Sequence, residues 1–145
     1  MKRKPSSENE IIAEVIHTLE KKFQEQITLR KGYEELSALI GKAIRHARKV
    51  GDDNFAAYLI ARREQINREV PKEGRIGCSN AFGPECINIL DAKAEENQSL
   101  RLAIMGIDCL VAQCIFHARE RHDNYADYLS EQREKTTKKI PRKIF

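Results

Sequence analysis

The sequence predicts an all-α protein, a six-helix bundle built from two similar three-helix units. Three observations predict it. Apolar residues recur at helical spacing along most of the chain. Glycine and proline cluster in one stretch, Pro71 to Pro84, which has the composition of a single loop. And one passage occurs twice. Ile44-Arg45-His46-Ala47-Arg48 returns as Ile115-Phe116-His117-Ala118-Arg119, and Asp53-Asn54-Phe55-Ala56 returns as Asp123-Asn124-Tyr125-Ala126. Arg63-Glu64 likewise returns as Arg133-Glu134, and Val70-Pro71 as Ile140-Pro141. The offset is 71 residues before the shared short turn and 70 after it, so one residue is missing there. A period near 70 residues is twice the roughly 34 of a tetratricopeptide array and does not fit one.

The elements follow in order. Glu8 to about Arg30 reads as a first helix, its stripe being Ile12, Val15, Ile16, Leu19 and Phe23, with Gly32 marking its end. A second helix spans about Tyr33 to Val50, with Leu36, Leu39, Ile40, Ala43, Ile44, Ala47 and Val50 on one face. Gly51 suits the position past a helix end, and Asp52 or Asp53 can cap the next helix. The third helix, about Asn54 to Glu69, turns Phe55, Tyr58, Leu59 and Ile66 inward, and Pro71 closes it. Pro84 suits the first position of a fourth helix, roughly Glu85 to Glu96. Asn97-Gln98-Ser99 suggests a junction near 97–103, then a fifth helix to about Arg121. Asp123 caps the sixth. The expected division is a basic end (1–7), a first unit (8–71), a linker (72–84), a second unit (85–138) and a basic tail (139–145), within one compact domain.

Composition narrows the function. The chain has 145 residues, 41% hydrophobic and 33% charged, enough for one core. With 6% aromatic residues and no Trp, it has little to line a large aromatic pocket. No run of about 18 consecutive apolar residues occurs, and the N-terminus lacks a signal-peptide core, so the expectation is a cytoplasmic protein with no membrane contact. The net charge of +4 is concentrated at the ends. Lys2, Arg3 and Lys4 stand at one end and Lys135, Lys138, Lys139, Arg142 and Lys143 at the other, while all 22 acidic residues lie between. Such ends can neutralise nucleic-acid phosphates, but no recognition helix stands out, because Arg62, Arg63 and Arg68 are offset by Glu64 and Glu69.

No catalytic or cofactor motif is present, so neither an enzyme nor a cofactor is expected. Glu14-x-x-His17 has di-iron spacing, yet its counterpart is Glu85 with Asn88, and the second histidine is missing. Cys78 and Cys86 are eight residues apart, an unusual spacing for zinc. Cys78 neighbours Arg75, which favours a thiolate, but no base accompanies it. Cys109 and Cys114 are five residues apart, on different sides of one helix, and cannot easily pair. No metal is therefore expected.

Two constellations remain. The fifth helix carries Leu102, Met105, Cys109, Ala112 and Phe116 on the face opposite its core stripe, where the first copy has Lys31, Glu34, Ala38, Gly41 and Arg45. A helix apolar on both sides is either the buried centre of the bundle or half of an interface with a partner or a second copy. The second constellation is His46 and Arg48 with His117 and Arg119. They form either a paired polar site able to hold an anion, or a set of contacts that fixes the packing of neighbouring hairpins. The expected function is a non-enzymatic protein-interaction module that associates with a protein partner or with itself. The alternative is a small nucleic-acid-binding or regulatory protein working through its basic ends.

Overall fold

The computed structural model describes residues 7–71 and 84–140. Among these it contains four helices in a long–short–long–short order: α1 (Ser7–Lys49), α2 (Asp53–Arg68), α3 (Pro84–Glu120) and α4 (Tyr125–Lys139). The all-α class is as expected. The six-helix count is not, because two expected junctions are absent. The basic segments 1–6 and 141–145 and most of the linker, Cys78 included, lie outside the described residues.

Both missing junctions have a packing explanation. Gly32 lies inside α1 and is buried. A Cβ there would stand 2.6 Å from Ile140 Cγ1. The residue is small because the end of α4 occupies its space, not because the helix stops. Asn97 lies inside α3 and is also buried, with its side chain bonded across to α1. A polar side chain that finds its partners on the neighbouring helix has no need to bond its own backbone and break the helix.

The two long helices form the axis of the fold, and each packs mainly on the other. Their buried positions include Leu19, Gln26, Leu29, Tyr33, Leu36, Ile40, Ala43 and Ala47 on α1, and Lys93, Asn97, Leu100, Ile104, Ile107, Val111, Cys114 and Ala118 on α3. Steps of three and four residues alternate along each series, apart from one step of seven, which is the seam of a coiled coil. Gln26 meets Asn97 and the end of α1 meets the turn after α3, so the two helices run parallel and nearly in register. The short helices turn back and fill the grooves on either side. Asn67, near the end of α2, accepts a hydrogen bond from Tyr33, and Thr136 of α4 donates one to Glu35. Burial of Leu59 and Ile66 agrees with expectation, whereas Tyr58 is at the rim and Ile12 and Val50 are exposed.

The two turns are built alike. Asp52 N–H bonds Ala47 O and Gly51 N–H bonds Arg48 O; Asp123 N–H bonds Ala118 O and His122 N–H bonds Arg119 O. Each is the paired bonding of a Schellman ending, which requires a left-handed residue past the helix end. Gly51 supplies it at φ 84°, and His122 adopts it at φ 56° despite its Cβ.

Candidate functional site

At the turn end of the bundle the two long helices are clasped crosswise. His46 on α1 donates its Nε2 proton to Asp123 Oδ2, in the turn between α3 and α4, at 2.6 Å. His117 on α3 donates to Asp52 Oδ2, in the turn between α1 and α2, also at 2.6 Å. Each imidazole lies flat on an aromatic ring from the other hairpin. His46 stacks on Tyr125 at 3.9 Å between centroids and His117 on Phe55 at 3.8 Å. Arg121 adds a 2.7 Å bond to Asp52. The aspartates are held ionised. The bond from His117 keeps Asp52 below the usual carboxylate range, and Asp123 is lowered first by His46 and then by the Tyr125 N–H. The latter bond, at 3.0 Å, caps the start of α4 as expected of Asp123. The repeat places Asp123 opposite Asp53, but the residue that performs the same task is Asp52. The extra residue of the first turn therefore falls after the clasping aspartate.

The histidines thus come together at one end, while Arg48 and Arg119 point to solvent. The pocket between the clasps is about 30 Å³. That is room for a water or two, not for an organic ligand. Its two imidazoles are already engaged with the aspartates, and Arg121 on its rim is bonded to Asp52. Cys114, which lines the same pocket, is buried, and burial pushes its thiol up to about 12.

A second polar group crosses the long helices further up. Gln26 donates to Glu96 at 2.8 Å and to Asn97 at 3.2 Å. Lys93, 2% exposed, donates to Gln26 and Glu96 and lies 4.6 Å over the Phe23 ring. Arg101 pairs with Glu25. Burial pushes Glu96 up, but the bonds from Gln26 and Lys93 bring it below its ordinary value. A buried polar layer of this kind fixes which residues face each other in a coiled coil. Sequence reasoning missed it, although its signal was present: Gln26 and Asn97 are polar residues at seam positions one offset apart.

The repeated arginines serve the hairpins unequally. Arg133 makes a bidentate pair with Asp108 at 2.7 and 2.9 Å, whereas Arg63 reaches only the Ser37 carbonyl. Glu64 and Glu134, their neighbours in sequence, are exposed. Of the basic tail, Lys135 is paired with Glu131 and Lys139 with Glu35. No group of three or more potential metal ligands comes together among the described residues.

The outer face of α3 is the other candidate. Leu102, Met105 and Phe116 are 57%, 63% and 63% exposed, Cys109 is exposed, and Ala112 is half-buried between them. Of the two alternatives for this helix, burial at the centre of the bundle is excluded for these residues. With one apolar face turned to α1 and one to solvent, α3 is long and apolar enough to cross a membrane by length and composition alone. Asp108 within it is held by Arg133 on one flank, and Gln113 accepts a bond from Tyr58 on the other. The corresponding face of α1 shows Lys31, Glu34, Ala38 and Arg45 to solvent. No family model, curated protein or solved structure matches this chain.

Proposed function

We propose that the protein is a non-enzymatic helical interaction module that associates with itself, two copies joining through the outer face of α3. One observation carries the reading: Leu102, Met105, Cys109, Ala112 and Phe116 follow steps of three and four residues on a side of α3 that no other described residue buries. That is a second coiled-coil seam on a helix whose first seam is already filled. It runs from Leu102 to Phe116, a rise of about 21 Å. Among the described residues of the long helices it is the one such face, so a closed pair with a two-fold axis uses it on both copies. Spanning a membrane fits less well, because the charged helices α2 and α4 flank α3 and would have to enter the hydrocarbon with it.

The same reading takes the chain as a fused pair of long–short hairpins. The crossed bonds His46–Asp123 and His117–Asp52, and the matched turns, support it. Fusion would free one copy's outer face to become polar and the other's to become adhesive. The seam is short compared with a standard interface, so a dissociation constant on the order of micromolar is expected.

Light scattering over a concentration series tests this. The wild type should pass from monomer to dimer, and Phe116→Glu should remain monomeric with an unchanged helical spectrum. A wild type that stays monomeric well above 100 times the expected constant (about 100 μM) overturns the reading. So does a Phe116→Glu variant that unfolds, since that would make the face part of the core.

A further inference from the structure

The seam also specifies how a second copy lies on it. This inference rests on the self-association just proposed and concerns its geometry. We infer that the two α3 helices cross antiparallel, with the two-fold axis passing at Cys109.

The order of side-chain sizes along the seam favours this crossing. Taken from Cys109, the seam has Met105 four residues before and Ala112 three residues after, with Leu102 and Phe116 seven residues before and after. In an antiparallel pair about Cys109, Ala112 of one copy meets Met105 of the other. Phe116 meets Leu102, and the cysteines meet each other. Every level then combines a large group with a smaller one, or two of middle size, and the gap stays evenly filled. In a parallel pair Phe116 would face Phe116 and Met105 would face Met105, while Ala112 faced Ala112 across a void. Voids of that kind cost binding, because their lining loses contacts without regaining water.

The ends of the seam agree. Glu95 and Gln98 are exposed above Leu102, and Arg119 is exposed below Phe116. Antiparallel crossing brings Arg119 against Gln98 and within a turn of Glu95, whereas parallel crossing stacks Arg119 on Arg119. The helix dipoles oppose in the first case and align in the second. The face therefore suits a second copy of this chain in reversed orientation.

Spin-label distances decide it. Gln98→Cys, in a chain carrying Cys78→Ser, Cys86→Ser and Cys109→Ala, takes one nitroxide per copy, since the raised thiol of buried Cys114 resists labelling. Position 98 lies 11 residues from Cys109. The antiparallel pair therefore separates the two labels by about 35 Å, and the parallel pair by under about 20 Å. Mixing singly labelled Gln98→Cys and Arg119→Cys chains should give the converse, a short distance. A dimer with close labels at 98 overturns the reversed register and leaves self-association standing. A monomer by light scattering, under conditions where the labelled chain is folded, removes both. Partition of the chain into vesicles of phosphatidylcholine and phosphatidylglycerol, with no dimer in solution, also removes both.

Discussion

Replacing Asp123 with Ala tests the crossed clasp, and its size can be worked out from the contacts. The change removes the 2.6 Å bond from His46 and the 3.0 Å bond from the Tyr125 N–H. The first is charge-assisted on the carboxylate side and counts for about 1.5 kcal/mol; the second is a helix cap, worth about 1 kcal/mol. Both partners are about three-quarters buried, so solvent recovers little of the loss. The expected destabilisation is about 2–3 kcal/mol at neutral pH, a fall of about 5–10 °C in Tm. Combining it with His46→Ala should cost about 1–2 kcal/mol less than the two single losses added together, because the pair shares one bond. The pH dependence has a definite sign. Asp52 and Asp123 are both held below their unfolded values, so their contribution is complete above the unfolded carboxylate range near pH 4 and disappears as pH falls through the folded values. Guanidinium titrations followed by circular dichroism at pH 7, 4 and 2.5 measure it. The gap between wild type and Asp123→Ala should narrow toward pH 2.5. An equal gap at all three pH values, or full additivity with His46→Ala, would refute the clasp as described.

Two further substitutions address the fold. Gly32→Ala places a methyl group 2.6 Å from Ile140 and should displace the end of α4, at a cost of about 1–3 kcal/mol in thermal unfolding. Gly32 has a helical backbone inside α1, so without the Ile140 contact alanine's better helix propensity would stabilise the chain, and a gain in Tm would refute the packing reason. His122→Gly relieves a left-handed conformation at φ 56° and should raise Tm by about 2–4 °C, the relief being partly offset by glycine's greater entropy when unfolded. No gain would mean that the imidazole makes a compensating contact.

Much of this molecule can be read in its sequence. The helical class, the two turns and the two-faced character of α3 all follow from residue spacing, which is local information. The number of helices does not. Gly32 looks like a terminator until Ile140, over a hundred residues away, is seen to need its space. Asn97-Gln98-Ser99 looks like a break until Asn97 is seen to bond Gln26 and the Lys22 carbonyl. Both are long-range contacts, and a single sequence does not record which distant residue a glycine or an asparagine serves. The histidines show the same division. Their repetition and boundary position are legible, but the exchange of partners between hairpins depends on the parallel pairing of α1 with α3. That pairing encloses a buried polar layer whose members look, one at a time, like ordinary surface residues.

A matched pair of substitutions on the two outer faces tests which surface joins the copies. Cys109 on α3 and Ala38 on α1 are one offset apart, both exposed, and each takes a glutamate without touching the core. Sedimentation equilibrium of Cys109→Glu should give a monomer at every concentration, while Ala38→Glu should dimerise like the wild type. Equal behaviour of the two variants, whether both associate or neither does, would contradict the assignment of the outer face of α3 as the surface through which this protein pairs.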